Sequence, residues 1–238
     1  MTDALIPALV LATLAGLTIP IGAALALLHA HVLPLWMETE ARHSIIAFGA
    51  GALLAAVALV LLPEGLDRLS PGAALWWFAF GAIAFAVMDQ QLATRGGQAA
   101  QFLAMMLDYL PEALALGALI SGSYEAAVLV AMLIALQNLP ESFNAMRELN
   151  TDSGRNSRRL LGLFVLMVPL GPLAAFAGLM LPNWADPHLG AVMMAASGGI
   201  LYLMFQDIAP QIPLERSFAP PLGAIAGFAL GLAGHLWI

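Results

Sequence analysis

The sequence predicts an all-α integral membrane protein, one bundle of eight transmembrane helices formed by residues 1–238 as a single domain. Three observations carry that reading. Hydrophobic residues make up 61% of the 238 and charged residues only 10%, too few to cover a soluble core with polar surface. The apolar residues fall into eight runs that meet or approach the roughly 20 residues a helix needs to cross a bilayer. Gly, Pro and charged residues mark the breaks between runs, and most breaks are too short to hold a domain.

In order, the runs cover about 4–28, 44–66, 73–92, 99–121, 125–148, 159–181, 189–209 and 217–237. The first is preceded by Met1-Thr2-Asp3, which lacks the basic start of a cleaved signal peptide, so it is expected to remain as a span. Pro34 to Arg42 separates it from the second, and Asp67 to Gly72 separates the second from the third, whose end is crowded by Asp89, Gln90 and Gln91. Short breaks at Thr94 to Gln98 and Ser121 to Ser123 set off the fourth and fifth. Asn150 to Arg158, Pro182 to Pro187 and Gln211 to Arg216 precede the last three. Small residues recur at Gly49, Ala50 and Gly51, at Gly198 and Gly199, and at Gly223, Gly227 and Gly231, a pattern that lets helices pack backbone to backbone within a chain or between copies.

Arginine placement gives the orientation. Arg42, Arg95, Arg155, Arg158, Arg159 and Arg216 fall in alternate connections, with Arg147 at the adjoining helix end, and Arg68 stands alone on the other side. The basic side is expected to be cytoplasmic, which puts both termini outside and suits a bacterial inner membrane. Lipid is thus an expected partner; nucleic acid is not. No cysteine is present, so disulfides and thiolate metal ligands are excluded. Lysine is absent too, and the sequence offers no physical reason for that.

The most informative stretch is Leu107 to Glu141, which repeats one pattern. Asp108-Tyr109-Leu110-Pro111-Glu112 and Gln137-Asn138-Leu139-Pro140-Glu141 each carry two oxygen-bearing side chains four residues apart, with a proline just before the second. On a helix such a pair lies on one face. The proline cannot donate to the carbonyl four residues back, which exposes the Leu107 and Leu136 carbonyls and is expected to kink both helices. Facing each other across a short turn, the copies would gather three carboxylates (Asp108, Glu112, Glu141) and the Gln137 amide into an oxygen cage, with Asn138 beside it. Ionisable groups at such depth are costly and mark function. The plainer reading, two protonated acids bonded between helices, leaves the repeated spacing unexplained.

Other polar residues sit nearer the ends. Glu64 closes a third Leu-Pro-Glu, with Asp67 one turn on; the two read either as an interfacial cap or as a cation-attracting entrance. Asp89, Gln206 and Asp207 are candidates for an exit, or are solvated helix ends. His29, His31 and His43 flank the first inner connection, and His29 and His31 diverge on a helix. His188 and His235 read as interfacial.

With these residues on view, the chain resembles the ZIP family of divalent-metal transporters. The fourth and fifth spans of that family bear His-Asn-x-Pro-Glu-like motifs, matched here by Asp108 to Ala113 and Gln137 to Ser142. Phe48-Gly49-Ala50-Gly51 through Leu61-Leu62-Pro63-Glu64 resembles the second span, and Gly199-Ile200-Leu201-Tyr202 with Asp207 and Pro210 the seventh. The resemblance implies a 3+2+3 arrangement with inverted outer triplets. It also implies a homodimer, an elevator-like movement of the metal-bearing helices, and a divalent metal (Zn, Fe, Mn or Cd) as transported substrate rather than cofactor.

Departures from the pattern are specific. Asp108 replaces the family's histidine, Tyr109 its asparagine, and Val168-Pro169-Leu170-Gly171 stands where many members have Glu-Pro-x-Gly. Leu53 replaces a methionine found in some bacterial members, and the histidine-rich loop before the fourth span is reduced to Thr94 to Gln98. One metal site, from Asp108, Glu112, Gln137 and Glu141, is expected to survive without its neighbour. An all-oxygen set suits Mg, Mn and Fe(II), while zinc also accepts carboxylates. Three adjacent carboxylates cannot all stay ionised in low dielectric, so metal arrival is expected to displace protons. A metal sensor that has given up transport remains an alternative. An intramembrane hydrolase is disfavoured, since Gly-x-Gly-Asp, Gly-x-Ser-Gly and His-Glu-x-x-His are all absent; no enzymatic activity is expected.

Overall fold

Long apolar runs with few breakers form helices because lipid leaves backbone polar groups no partner but each other. A computed structural model describes residues 2–29, 35–95, 98–153, 157–180, 186–212 and 217–237, and every regular element among them is helical. The helices are α1 (Thr2–His29), α2 (Leu35–Ala56), α3 (Leu62–Leu66), α4 (Pro71–Arg95), α5 (Gln98–Leu119), α6 (Tyr124–Ser153), α7 (Ser157–Met167), α8 (Leu170–Met180), α9 (Asp186–Leu203) and α10 (Ala219–Trp237). Among the described residues, seven helical stretches are long and apolar enough to cross a membrane: Ala4–Leu28, Thr39–Leu66, Pro71–Gln91, Tyr124–Asn150, Ser157–Met180, Pro187–Gln211 and Ala219–Trp237. The chain is therefore a multi-pass helical membrane protein. The remaining run, the fourth, corresponds to α5 (Gln98–Leu119).

Three features depart from regular helices. The second span passes through a π-helical turn at Val57–Leu61 between α2 and α3. The seventh does so at Met204–Ile208, followed by a 3-10 turn at Ala209–Gln211. The sixth breaks at Val168-Pro169, between α7 and α8. Pro111 and Pro140 lie inside α5 and α6, which continue through them as single elements.

Glycines decide which helices meet. A β-carbon on Gly51 would strike the Ala224 backbone, and one on Gly227 the Phe48 backbone, so α2 and α10 interlock reciprocally. Gly81 against Ala195 and Gly198 against Phe78 do the same for α4 and α9, and Gly117 against Ala175 and Gly178 against Leu114 for α5 and α8. Such close approach is the form of packing that lipid leaves available. The Gly223, Gly227 and Gly231 stripe, open to either use on sequence grounds, is taken up within the chain by Ser44, Phe48 and Ala55 of α2.

Two groups of helices result. α1, α5, α6, α7 and α8 pack mainly with one another, as do α2, α3, α4, α9 and α10, and the groups meet most extensively along α2 and α6. A small core crosses between them: Leu53, Val57 and Leu61 from the second span, Ala196, Ile200 and Met204 from the seventh, and Ala115 from α5. Leu75, Trp76, Phe80 and Ile83 on α4 and Leu222, Ile225, Leu236 and Trp237 on α10 face outward, as lipid permits.

Candidate functional site

The two copies of the repeat lie on antiparallel neighbours. Leu119 ends α5, a turn closes with the amides of Gly122 and Ser123 donating to the Leu119 carbonyl (2.9 and 2.8 Å), and Tyr124 opens α6. The Ser123 hydroxyl accepts from the Ala126 amide at 3.2 Å and caps that start. Each motif is seated by glycines of other helices. At the second copy, Gly22 of α1 lies against the Leu139 carbonyl and the Ser142 hydroxyl, and Gly49 of α2 lies against the Pro140 ring. At the first, the buried Tyr109 ring runs between Gly16 of α1 and Gly171 of α8.

Asp108, Glu112, Gln137 and Asn138 are buried, Glu112 to 1% exposure, and Glu141 is half-buried. Glu112 and Gln137 meet directly: the Gln137 amide Nε2 donates to Glu112 Oε2. Glu112 Oε1, Gln137 Oε1 and Asn138 Nδ2 are buried with no hydrogen-bond partner. A buried polar atom left in that state costs about 1–3 kcal/mol, and two orphaned oxygens on side chains already in contact are acceptors that a cation could use. Among the described residues, no three His, Cys, Asp or Glu side chains stand close enough to hold a metal ion. The expected gathering of Asp108, Glu112 and Glu141 about one ion is thus not formed among the described residues, while Glu112 and Gln137 are bonded to each other.

The sites expected at the ends are placed as follows. Glu64 is ion-paired with Arg68, whose guanidinium also donates to the Glu64 carbonyl at 2.7 Å. Asp67 caps α3, its amide donating to the Pro63 carbonyl at 3.0 Å, and it is exposed. Asp89 accepts from the Tyr202 hydroxyl at 3.0 Å, joining α4 to α9. Gln206 is exposed on its π turn; the side chains of Asp207 and His29, and all of His31, lie outside the described residues. His43 Nδ1 lies 3.3 Å from the Ile212 carbonyl.

A further constellation, which the sequence motifs do not mark, joins α2 to α6. Arg42 Nε donates to Asn144 Oδ1 at 2.7 Å and its Nη2 to Glu148 Oε1 at 3.0 Å, while Asn144 Nδ2 donates to Glu148 Oε1 (2.9 Å) and to Gln211 Oε1 (3.0 Å). The available signal was periodicity: Gln137, Glu141, Asn144 and Glu148 recur at helical spacing along α6.

No protein-family model matches the chain. The zinc transporter ZupT of Chlorobium phaeovibrioides is 26% identical to it over a 269-residue alignment that takes in 96% of this chain and 95% of that protein. The resemblance to the ZIP family holds. The alignment takes in nearly the whole chain.

Proposed function

We propose that this protein carries divalent metal cations, zinc among them, across the bacterial inner membrane into the cytoplasm, through a site between α5 and α6. The observation that carries the proposal is the buried Glu112–Gln137 pair with its unpartnered oxygens. Glu112 supplies charge and Gln137 a neutral carbonyl; Asp108 and Glu141 lie one turn away on the same faces and would close on an arriving ion, with Asn138 assisting. The name of the relative ZupT supports zinc as a substrate, and oxygen ligands leave Fe, Mn and Cd open.

In this reading α5 is the fourth of eight spans, the bundle has the 3+2+3 order of the ZIP family, and the termini lie outside. The division of the helices into two groups supports an elevator in which the group holding α5 and α6 slides against the group holding α2 and α9. Glu64 and Asp67 would receive ions at the outer end; Asp89, Gln206 and Asp207 line the inner one. The working unit is a homodimer. Uptake of radioactive zinc into liposomes containing the purified protein tests the proposal. Tyr109 and Val168, neither a usual ligand, favour a second reading as a metal sensor. Zinc that binds but is not taken up would establish that reading instead.

A further inference from the structure

We propose that Arg42 gates the inner half of the cation path, closing it by its bonds to Asn144 and Glu148; this rests on the carrier reading above. Gln137, Glu141, Asn144 and Glu148 follow at intervals of four, three and four along α6, which places them on one face. From Glu141 to Glu148 that face runs about 10 Å toward the helix end at which Arg147 lies. Arg42 of α2 lies across it. Its guanidinium holds Glu148 at 3.0 Å and Asn144 at 2.7 Å. Asn144 is 7% exposed and also holds Gln211, so one buried amide ties α2, α6 and the end of the seventh span together.

Burial changes sharply across this cluster. The side chains of Arg42 and Glu148 are 32% and 36% exposed, whereas Asn144 behind them is buried. A cation leaving the Glu112–Gln137 site along α6 therefore meets a fixed positive charge just where the path reaches water. An arginine cannot open the way by losing its proton. It opens by exchange: the ion takes Glu148, and the long, flexible guanidinium arm swings into water. Because the bonds cross the α2–α6 contact where the two helix groups meet, sliding of those groups must break them as well. The gate and the movement are thus one event.

The test reads accessibility rather than transport. The chain has no native cysteine, so Glu141→Cys supplies a single reporter on the path. In inside-out vesicles, a charged methanethiosulfonate is added on the side bearing Arg158 and Arg159, and the labelling rate is followed. Adding Arg42→Gln, or Glu148→Gln, should raise that rate about fivefold, as loss of a partly exposed ion pair predicts. Exchanging the charges, Arg42→Glu with Glu148→Arg, should bring it back near the parent. Should Arg42→Gln not fold, Glu148→Gln makes the same comparison. Rates unchanged in the single variants, or an exchanged pair that labels as fast as they do, overturn the gate. Labelling needs no transport, so failure of wild-type zinc uptake would sink the carrier reading and leave this result standing.

Discussion

The hydroxyl of Tyr109 occupies the position that a β-carbon on Gly171 would need, and on the opposite side it does the same for Gly16. Where the ZIP motif has an asparagine, this chain has driven a phenol ring between α1 and α8, and two glycines make room for it. The side chain that the resemblance would have turned into a second metal ligand is a structural wedge.

Gly16→Ala should therefore destabilise the protein by about 1–3 kcal/mol, the usual range for overpacking. Tyr109→Phe should relieve most of it, because at Gly16 the hydroxyl is the atom in the way and the ring carbon bearing it stands 3.4 Å off. At Gly171 that ring carbon is crowded too, so Gly171→Ala should stay destabilised in the Phe background. Thermal unfolding of the single and double variants in detergent measures both couplings. Equal loss in Gly16→Ala with and without Tyr109→Phe would show that the hydroxyl is not what fills the slot.

Glu112→Gln and Glu141→Gln should each lower zinc uptake at least about tenfold, since even outer-shell partners of a metal are typically worth about 10–100-fold. Both variants should fold, because an amide keeps the shape of the carboxyl. Gln137→Leu should lose uptake as well and leave Glu112 Oε2 without its donor. Uptake at the wild-type rate in Glu112→Gln, at matched protein levels, would remove the site from α5 and α6.

Bound zinc should number one ion per chain. Two divalent ions about 4 Å apart repel with four times the roughly 4 kcal/mol of a unit pair near a protein surface, and only flanking carboxylates offset that. Tyr109 is committed to its glycine slot, and Val168 lines an apolar groove with Leu9, Thr13, Pro172, Leu173 and Phe176. Elemental analysis and anomalous scattering from cadmium-soaked crystals count the ions. Two full peaks a few ångströms apart would show that other ligands complete a second site.

Arg159, exposed at the start of α7, tests the orientation. A cysteine there should resist an impermeant thiol reagent in intact cells and react once they are opened. Equal labelling in both would reverse the bundle in the membrane, and with it the direction of transport.

Hydropathy was sufficient to lay out the helices, because in lipid an apolar run has little choice but to be one. The same holds for the motifs: spacing alone put Glu112 and Gln137 on helix faces that could meet, and they do. Partners were beyond its reach. Gly227 announces a close approach, but nothing near it in sequence says that the approach is to Phe48. Arg42 and Glu148 are 106 residues apart, and an arginine at a membrane surface is explained well enough by lipid to hide a bond to a glutamate.

The π turns at Val57–Leu61 and Met204–Ile208 each store one surplus residue. A residue spans about 100° of helix, so removing it would rotate everything beyond by that angle. Past the first turn, Glu64 and Arg68 would swing away from their present bearing; past the second, Gln211 would leave Asn144. Comparison of this chain with a relative that lacks the surplus must open a one-residue gap inside an apparently unbroken span. An alignment that runs straight through will look better and will match the wrong faces of two helices.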